Sequence, residues 1–324
     1  MKAIHITRSG GPEVLELQET PKPILQKNQV LIKVVAAGIN RSDVITRENI
    51  ETYGKGSLQT LIPGLEVSGV IEEIGLEVEE KKVGDKVCSL IPDGGYAEYV
   101  AVDSSHCLRI PDGMSLEDAA GIVETVFTVW FNVFILGKLQ PGEKLLIHGG
   151  TSGIGTMGLQ MAKAWGCETY TTVGSAEKAE FSRKMSVDHV INYKDQAFEE
   201  VWKNKKIDVI LDMIGGDYTL KNLAIFNKNG RLIFINGMQN VESTINILTV
   251  MGKSLTITGS FLKPQPAEVK TQIAQEVEKN IWPMFDSKKI YPIIFKTFPL
   301  AEAADAHRLM ESSDHIGKIL LTME

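Results

Sequence analysis

Apolar residues in the second half of the chain alternate between short continuous runs and helix-spaced patterns. Short runs rich in Val, Ile and Leu and bounded by glycine are typical of buried parallel strands, whereas apolar residues at every third or fourth position indicate helices. Their alternation indicates right-handed crossovers and a parallel sheet covered on both faces. The predicted strands are 145–147, 168–173, 189–193, 207–214, 230–237 and 255–261, with helices at 156–165, 197–203, 218–226 and 245–252.

The first third of the chain has a different pattern. Short strand-like runs at 14–20, 29–39, 66–75, 85–90 and 96–102 follow one another with turns between them. Because few helical patterns intervene, we expect an antiparallel, partly closed β-domain. A long helix is predicted over 115–136, and the tail has predicted helices at 266–285 and 300–310 and strands at 294–298 and 318–322.

These patterns and a length of 324 residues predict two domains. The fold class is α/β, with a Rossmann-type doubly wound parallel sheet inserted in a mostly antiparallel β-domain. The domain with the parallel sheet is predicted to span 122–261, and the β-domain to consist of 1–121 and 262–324.

A glycine-rich turn, HGGTSGIG at 148–155, follows the first predicted parallel strand. A strand, a tight turn and a helix N-terminus bring free backbone N–H groups to one point, which makes an anion site. In a βαβ unit that anion is most often a dinucleotide pyrophosphate. The match to G-x-G-x-x-G is imperfect because Ser152 takes the middle position, so an ordinary turn is the alternative. The residues predicted to hold the pyrophosphate are Gly150, Thr151, Ser152, Gly153, Ile154 and Gly155.

The second predicted strand lacks the acidic residue that normally binds a ribose 2′-hydroxyl about 20 residues past the glycines. Gly174, Ser175 and Lys178 stand there instead, and Tyr193 ends the third strand. A hydroxyl and a cation suit a 2′-phosphate, which favours NADPH over NADH. The alternative is a surface helix cap at Ser175 and a solvated Lys178. Since ligands lie at the carboxyl ends of parallel strands, further cofactor contacts are predicted at Ile214, Gly237, Met238, Phe261 and Leu262.

Composition narrows the possible partners and location. The net charge of −7 gives no electrostatic support for nucleic-acid binding. The most apolar stretch, 123–136, is interrupted by Asn132 and is too short to span a bilayer, so a buried helix is expected there. The first strand begins near Met1 without a recognisable signal peptide. Three scattered cysteines favour a reducing compartment. We therefore expect a cytoplasmic protein with no nucleic-acid or membrane partner.

Several stretches together resemble the medium-chain dehydrogenase/reductase superfamily, and within it the zinc-independent quinone oxidoreductases, especially the stress-inducible ones. The resemblance covers nearly the whole chain and implies a GroES-like β-domain beside the Rossmann domain. It also implies a homodimer that pairs sheet edges, for which 255–261 is the candidate. The stretches are KVVAAGINRSD at 33–43, PGLEVSG at 63–69, VGDKV at 83–87, EAADAHRLM at 302–310 and IGKILL at 316–321.

The zinc-dependent members of that superfamily hold a catalytic metal with Cys, His and Cys. The matching positions here are Asn40, Leu65 and Glu124, a set that holds zinc poorly, so no metal is expected. Asp43 and Glu66 are then expected to be structural carboxylates, satisfied by backbone donors or by Arg41.

The resemblance also implies roles for individual residues. Asn40 would orient nicotinamide and acceptor, Tyr53 would stack on or hydrogen-bond to the acceptor ring, and Ser152 would contact cofactor or substrate. Apart from the resemblance, Thr128 on the predicted helix 115–136 is a candidate contact of the nicotinamide amide. Ordinary structural roles are the alternatives: a turn-forming Asn, a surface aromatic, and a helix Thr bonded to its own backbone.

The function expected from this resemblance is NADPH-dependent reduction of quinones and related electrophilic carbonyls, with a small-molecule quinone or enone acceptor. Such acceptors are already electrophilic, so a positioned nicotinamide and a weak donor suffice without a metal. Two alternatives stay open: an NADPH-dependent enone or alkenal reductase, and a dinucleotide-binding redox sensor with little catalysis.

Overall fold

The computed structural model describes residues 1–51 and 61–323. The chain separates into two compact units: unit 1 consists of 1–125 and 263–324, and unit 2 of 126–262. The strands in chain order are β1 Lys2–Ile6, β2 Leu15–Glu19, β3 Gln29–Gly38, β4 Glu66–Ile74, β5 Lys86–Leu90, β6 Tyr99–Asp103, β7 Cys107–Arg109, β8 Lys144–His148, β9 Glu168–Val173, β10 His189–Asn192, β11 Ile207–Asp212, β12 Phe226–Phe234, β13 Thr256–Gly259, β14 Ile294–Pro299 and β15 Lys318–Thr322.

The helices are distributed over both units. A π-helix, Trp130–Leu136, and single 3₁₀ turns at Pro12–Val14, Ser104–His106 and Leu300–Glu302 accompany them. The α-helices are α1 Arg41–Glu48, α2 Leu116–Ala119, α3 Val123–Val129, α4 Gly153–Ala164, α5 Ala176–Lys184, α6 Phe198–Val201, α7 Tyr218–Ile225, α8 Ile247–Lys253, α9 Ala267–Asn280, α10 Trp282–Asp286 and α11 Ala303–Ser312.

Unit 2 is built on a parallel sheet in the order β10-β9-β8-β11-β12-β13. The strand order reverses between β8 and β11, the position at which such sheets bind ligands. Leu145, Leu146 and Ile147 of β8 are fully buried, as expected for a strand covered on both faces. The predicted doubly wound sheet is confirmed.

Unit 1 contains a second sheet in the order β14-β15-β3-β4-β5-β7, with β6 also paired to β3. Its pairs are antiparallel except β14 with β15. The alternating inward residues of these strands form one apolar core, which also receives Ala303, Ala306 and Met310 of α11. The predicted mostly antiparallel β-domain is confirmed.

Some helix predictions were wrong in detail. The helix predicted over 115–136 is divided into α2, α3 and the π-helix, where Gly137 N donates to Asn132 O five residues back. The helix predicted over 266–285 is divided into α9 and α10 just before Pro283, which has no N–H to donate. No helix was predicted at the position of α1, and for α5 only a possible cap at Ser175 was predicted.

The helical stretch Leu116–Leu136 also bears on the membrane question. At 21 residues it is long and apolar enough to cross a bilayer, so the argument from shortness was wrong. Because 78% of its most apolar window is buried, it has the character of a core helix.

A buried polar chain ties α1 to α11 inside unit 1. Arg47 Nη1 lies 3.2 Å from His307 Nδ1, and His307 Nε2 lies 3.2 Å from Tyr96 Oη. Because a guanidinium only donates, Nδ1 accepts and Nε2 carries the proton. Tyr96 Oη then donates to Asp43 Oδ2 at 3.0 Å. Burial lowers the pKa of His307 to about 3, helped by repulsion from Arg47 and Arg41, and burial raises the pKa of Asp43 to about 6.

These two pKa shifts act on stability in opposite directions. His307 contributes stability above its ordinary pKa of 6.5 that is lost as the pH falls towards 3. Asp43 contributes stability below its ordinary pKa of 3.8 that is lost as the pH rises through about 6. A test of the buried histidine must therefore compare the wild type with a variant at each pH.

We predict that the destabilisation caused by His307→Gln is largest at pH 7 and shrinks by about 2 kcal/mol at pH 5, since each pH unit below the ordinary pKa contributes about 1.4 kcal/mol. Urea unfolding of both proteins at several pH values measures this difference. A destabilisation that stays constant from pH 7 to pH 5 would show that His307 is not held neutral.

Candidate functional site

The turn between β8 and α4 depends on backbone packing that leaves no room for side chains. Gly149 has a φ of +73°, which favours glycine. A Cβ at Gly150 would lie 2.0 Å from Thr171 Oγ1, and one at Gly155 would lie 2.4 Å from Gly149 O. The helix therefore begins directly at the carboxyl end of the strand, at Gly153 rather than at the predicted residue 156.

Ser152 is the N-cap of α4. Its Oγ accepts a hydrogen bond from Gly155 N at 3.0 Å and donates one to Gly149 O at 2.8 Å. Both hydrogen bonds of the Ser152 hydroxyl are therefore made within the turn. Ser152 stabilises the turn, and its contact with the cofactor or substrate stays a prediction. The N–H groups of Gly153 and Ile154 lie in the first helical turn, beyond the reach of any intrahelical carbonyl. With the dipole of a 12-residue helix behind them, they suit a phosphate.

A buried hydrogen-bond network lies beneath this turn and joins three strand ends. His148 Nδ1 lies 2.9 Å from Thr172 Oγ1, and His148 Nε2 lies 2.8 Å from Asn222 Oδ1. Asn222 Nδ2 donates to Asp212 Oδ2 at 2.9 Å. The other carboxylate oxygen of Asp212 accepts the amides of Ile214 and Gly215. The network fixes the loop after β11 relative to the glycine turn.

The structure brings the predicted 2′-phosphate residues together at the ends of β9 and β10. Ser175 caps α5 and accepts a hydrogen bond from Lys178 N at 3.2 Å. A Cβ at Gly174 would lie 2.6 Å from Tyr193 Oη, so the ring packs closely against the glycine. Tyr193 is half exposed and Lys178 partly buried. Ser175, Tyr193 and the backbone of Lys178 therefore lie close together where β9 and β10 end.

The remaining predicted cofactor contacts of unit 2 fall into two groups. The loops after β11 and β12 are joined by hydrogen bonds from Met238 N to Met213 O and from Gln239 N to Ile214 O, so Ile214, Gly237 and Met238 lie close together. The second group is Phe261 and Leu262, which follow the edge strand β13. The Phe261 side chain is exposed. Thr128 is buried on α3.

In unit 1, Asn40 lies at the start of α1 within a cluster of charged residues. Its backbone N–H donates to Asp43 Oδ2 at 2.8 Å, and its Nδ2 donates to Glu66 Oε1 at 3.1 Å. Lys318 Nζ lies 2.7 Å from Asn40 Oδ1 and 2.6 Å from Glu66 Oε1. Glu66 Oε2 accepts the backbone N–H of Glu124 at 2.9 Å. Asn40 therefore lies in a buried and strongly polar arrangement.

Sequence reasoning missed Lys318. The available signal was a lysine within the apolar run of the last strand, where a buried position needs a counter-charge. Backbone donors do satisfy Asp43 and Glu66, through the N–H groups of Asn40 and Glu124, which confirms one of the two expected arrangements; the Arg41 alternative was wrong. Arg41 Nη2 instead donates to Met310 O and Ser313 Oγ, at the end of α11.

The residues at the expected metal positions do not fit a zinc ion. Leu65 has no donor atom, and the amide of Asn40 is already bonded to Lys318 and Glu66. In residues 1–51 and 61–323, no cluster of three or more His, Cys, Asp and Glu side chains is arranged to hold a metal. Tyr53, the remaining predicted site residue, lies outside the described residues.

Comparison with known proteins gives matches over both units. Residues 26–112 match the family model for the alcohol dehydrogenase GroES-like domain, and 185–321 match the family model for zinc-binding dehydrogenase. The chain is 31% identical over 330 residues to quinone oxidoreductase of Rattus norvegicus, covering 100% of this chain and 98% of that protein. It is 30% identical over 343 residues to the synaptic vesicle membrane protein VAT-1 homolog of Danio rerio, covering 100% and 70%.

Among solved structures, the quinone oxidoreductase of Escherichia coli complexed with NADPH superposes with a TM-score of 0.88 at 26% identity. That alignment covers 99% of this chain and 100% of that one. The family resemblance drawn from the motifs is confirmed. The chain belongs to the medium-chain dehydrogenase/reductase superfamily, in its quinone oxidoreductase branch.

Proposed function

We propose that this oxidoreductase uses NADPH to reduce quinones without a metal ion. The observation that carries the proposal is the free first helical turn of α4 directly after β8, together with Ser175, Lys178 and Tyr193 at and just after the ends of β9 and β10. Its relatives named quinone oxidoreductase, one of them complexed with NADPH, support both the cofactor and the acceptor class.

The pyrophosphate and the 2′-phosphate of the dinucleotide each have proposed partners in unit 2. The Gly153 and Ile154 amides would receive the pyrophosphate, and Ser175, Lys178 and Tyr193 the 2′-phosphate. Charge-assisted hydrogen bonds to phosphate are among the stronger ones in proteins. The cofactor supplies the hydride, and the chain supplies binding and orientation.

The acceptor needs a hydrogen-bond donor near its carbonyl oxygen. Asn40 is the proposed donor, because its amide is buried and held by Lys318 and Glu66. A quinone is electrophilic enough to accept hydride with this modest polarisation. Since the residues at the metal positions do not fit zinc, the proposed reaction is independent of zinc.

We predict turnover of a panel of small quinones with NADPH in metal-depleted buffer, with rates unchanged by a chelator. Absorbance of the reduced nicotinamide follows the reaction, with alkenals assayed beside the quinones. Rates that favour alkenals over every quinone would support an enone reductase instead. Tight NADPH binding without turnover of any acceptor would contradict catalysis, and loss of activity with the chelator would contradict zinc independence.

We predict that Lys178→Ala weakens NADPH binding about tenfold to a hundredfold and leaves NADH binding nearly unchanged, because one charge-assisted contact to the 2′-phosphate is lost. Fluorescence titration with both dinucleotides measures the two dissociation constants. Lys184→Ala is the matched control, since Lys184 ends the same helix and pairs with Glu180. An equal loss for NADPH and NADH would remove the 2′-phosphate assignment.

We also propose a homodimer through the β13 edge of unit 2. This strand is paired on one side to β12 and stands at the end of the sheet order. Apolar side chains of the neighbouring helix α8, including Ile247, Leu248 and Met251, are exposed. An open strand edge beside an apolar face suits a second copy of the chain. A monomeric mass by light scattering in solution would contradict the proposal.

A further inference from the structure

Three oxygen atoms surround the ammonium group of Lys318 inside unit 1. Its Nζ donates to Ile39 O at 2.9 Å and to Asn40 Oδ1 at 2.7 Å, and it pairs with Glu66 Oε1 at 2.6 Å. An ammonium has three protons, so each one has an oxygen to bond to. The Lys318 side chain is 6% exposed and that of Glu66 fully buried, which keeps water from competing for these protons.

This arrangement determines which way the Asn40 amide faces. An ammonium only donates, so the amide atom facing Lys318 is the oxygen. The nitrogen then faces Glu66 Oε1 at 3.1 Å. The second Nδ2 proton has Gly38 O at 3.4 Å, close to the longest distance for a hydrogen bond. One amide proton is therefore held in a fixed direction with only a weak acceptor.

The carboxylate of Glu66 is itself held on both oxygens. Oε2 accepts the backbone N–H of Glu124 at 2.9 Å, while Oε1 receives Lys318 and Asn40. A Cβ at Gly38 would lie 2.2 Å from Glu66 Oε1 and 2.5 Å from Ala120 O, so the carboxylate fits only beside a glycine. The side chains of Lys318, Glu66 and Asn40 are thus held in fixed positions by buried hydrogen bonds.

We propose that Lys318 is a positioning residue that, together with Glu66, fixes the orientation of the Asn40 amide, and that the second Nδ2 proton, which Gly38 O holds only weakly, is the one that bonds to the acceptor carbonyl. The inference rests on the proposed function of Asn40. The positive charge at Oδ1 polarises the amide and strengthens the N–H as a donor. The charge of Lys318 would then polarise the acceptor carbonyl through the Asn40 amide. The residues at the expected metal positions do not fit a zinc ion that could do this instead.

A spectroscopic test does not depend on turnover. In protein labelled with ¹⁵N-asparagine, the side-chain amide signals of Asn40 are identified by their loss in Asn40→Ala. In the wild type these protons should exchange slowly with solvent, and in Lys318→Met about tenfold faster or more, because the charge-assisted contact is lost. Lys270→Met is the matched control, since it removes a part-buried lysine of the same unit that donates to Lys263 O. Unchanged Asn40 signals in Lys318→Met would overturn the proposal.

A second variant tests the proposal if Lys318→Met does not fold. Removing one partner of a buried ion pair leaves the other charge uncompensated, whereas replacing both by apolar residues is often tolerated. Lys318→Met/Glu66→Leu should therefore fold, and the Asn40 amide should still show the faster exchange because it has lost both partners. Slow exchange in this folded double variant would equally overturn the proposal.

Kinetics give a readout that a purely structural role would not produce. We expect kcat with NADPH and a quinone to fall about tenfold to a hundredfold in Lys318→Met, with KM for NADPH within about twofold. If Lys318 acts through Asn40, Asn40→Ala/Lys318→Met should be no slower than Asn40→Ala alone. If the two substitutions instead lower kcat additively in the double variant, Lys318 does not act through Asn40. If the wild type binds NADPH but reduces no acceptor, the proposed function fails, and amide exchange still decides whether Lys318 holds Asn40.

Discussion

Close packing around the glycines of the 149–155 turn is the constraint on which the proposed function depends. A side chain at Gly150 or Gly155 would overlap Thr171 or the carbonyl of Gly149. Without that packing α4 would not begin at the end of β8, and its first amides would not converge beside the strand ends. In the proposed function, the anion would be bound by these main-chain groups, which need no charged side chain in the turn itself.

Buried hydrogen-bond networks stabilise both candidate sites. In unit 2, His148 and Asp212 join the ends of β8, β9 and β11 beneath the glycine turn. In unit 1, Lys318 and Glu66 hold Asn40. Buried polar groups are expensive unless every donor and acceptor is paired, and paired groups are fixed in position. The hydrogen bonds that satisfy these buried groups therefore also fix the positions of the glycine turn and of the Asn40 amide, which are the groups proposed to contact ligands.

Features that depend on residues close together in the sequence could be predicted. Glycine spacing, apolar strand runs and the hydroxyl at Ser175 are local signals, so the doubly wound sheet, its fold class and the family could be recognised. The interrupted helix near Asn132 could not be recognised in this way. Asn132 lies in the π-helix and accepts a hydrogen bond from Ser260, 128 residues away, a contact that no local pattern shows. The role of Lys318 was equally hidden, since it meets Asn40 across 278 residues through the pairing of β15 with β3.

A crystal structure of the protein with NADPH would test the central claim most directly. Our account predicts pyrophosphate oxygens within about 3.2 Å of the Gly153 and Ile154 amide nitrogens and the 2′-phosphate beside Ser175 and Lys178. A dinucleotide bound away from the N-terminus of α4, or with its 2′-phosphate facing solvent far from Lys178, would contradict it.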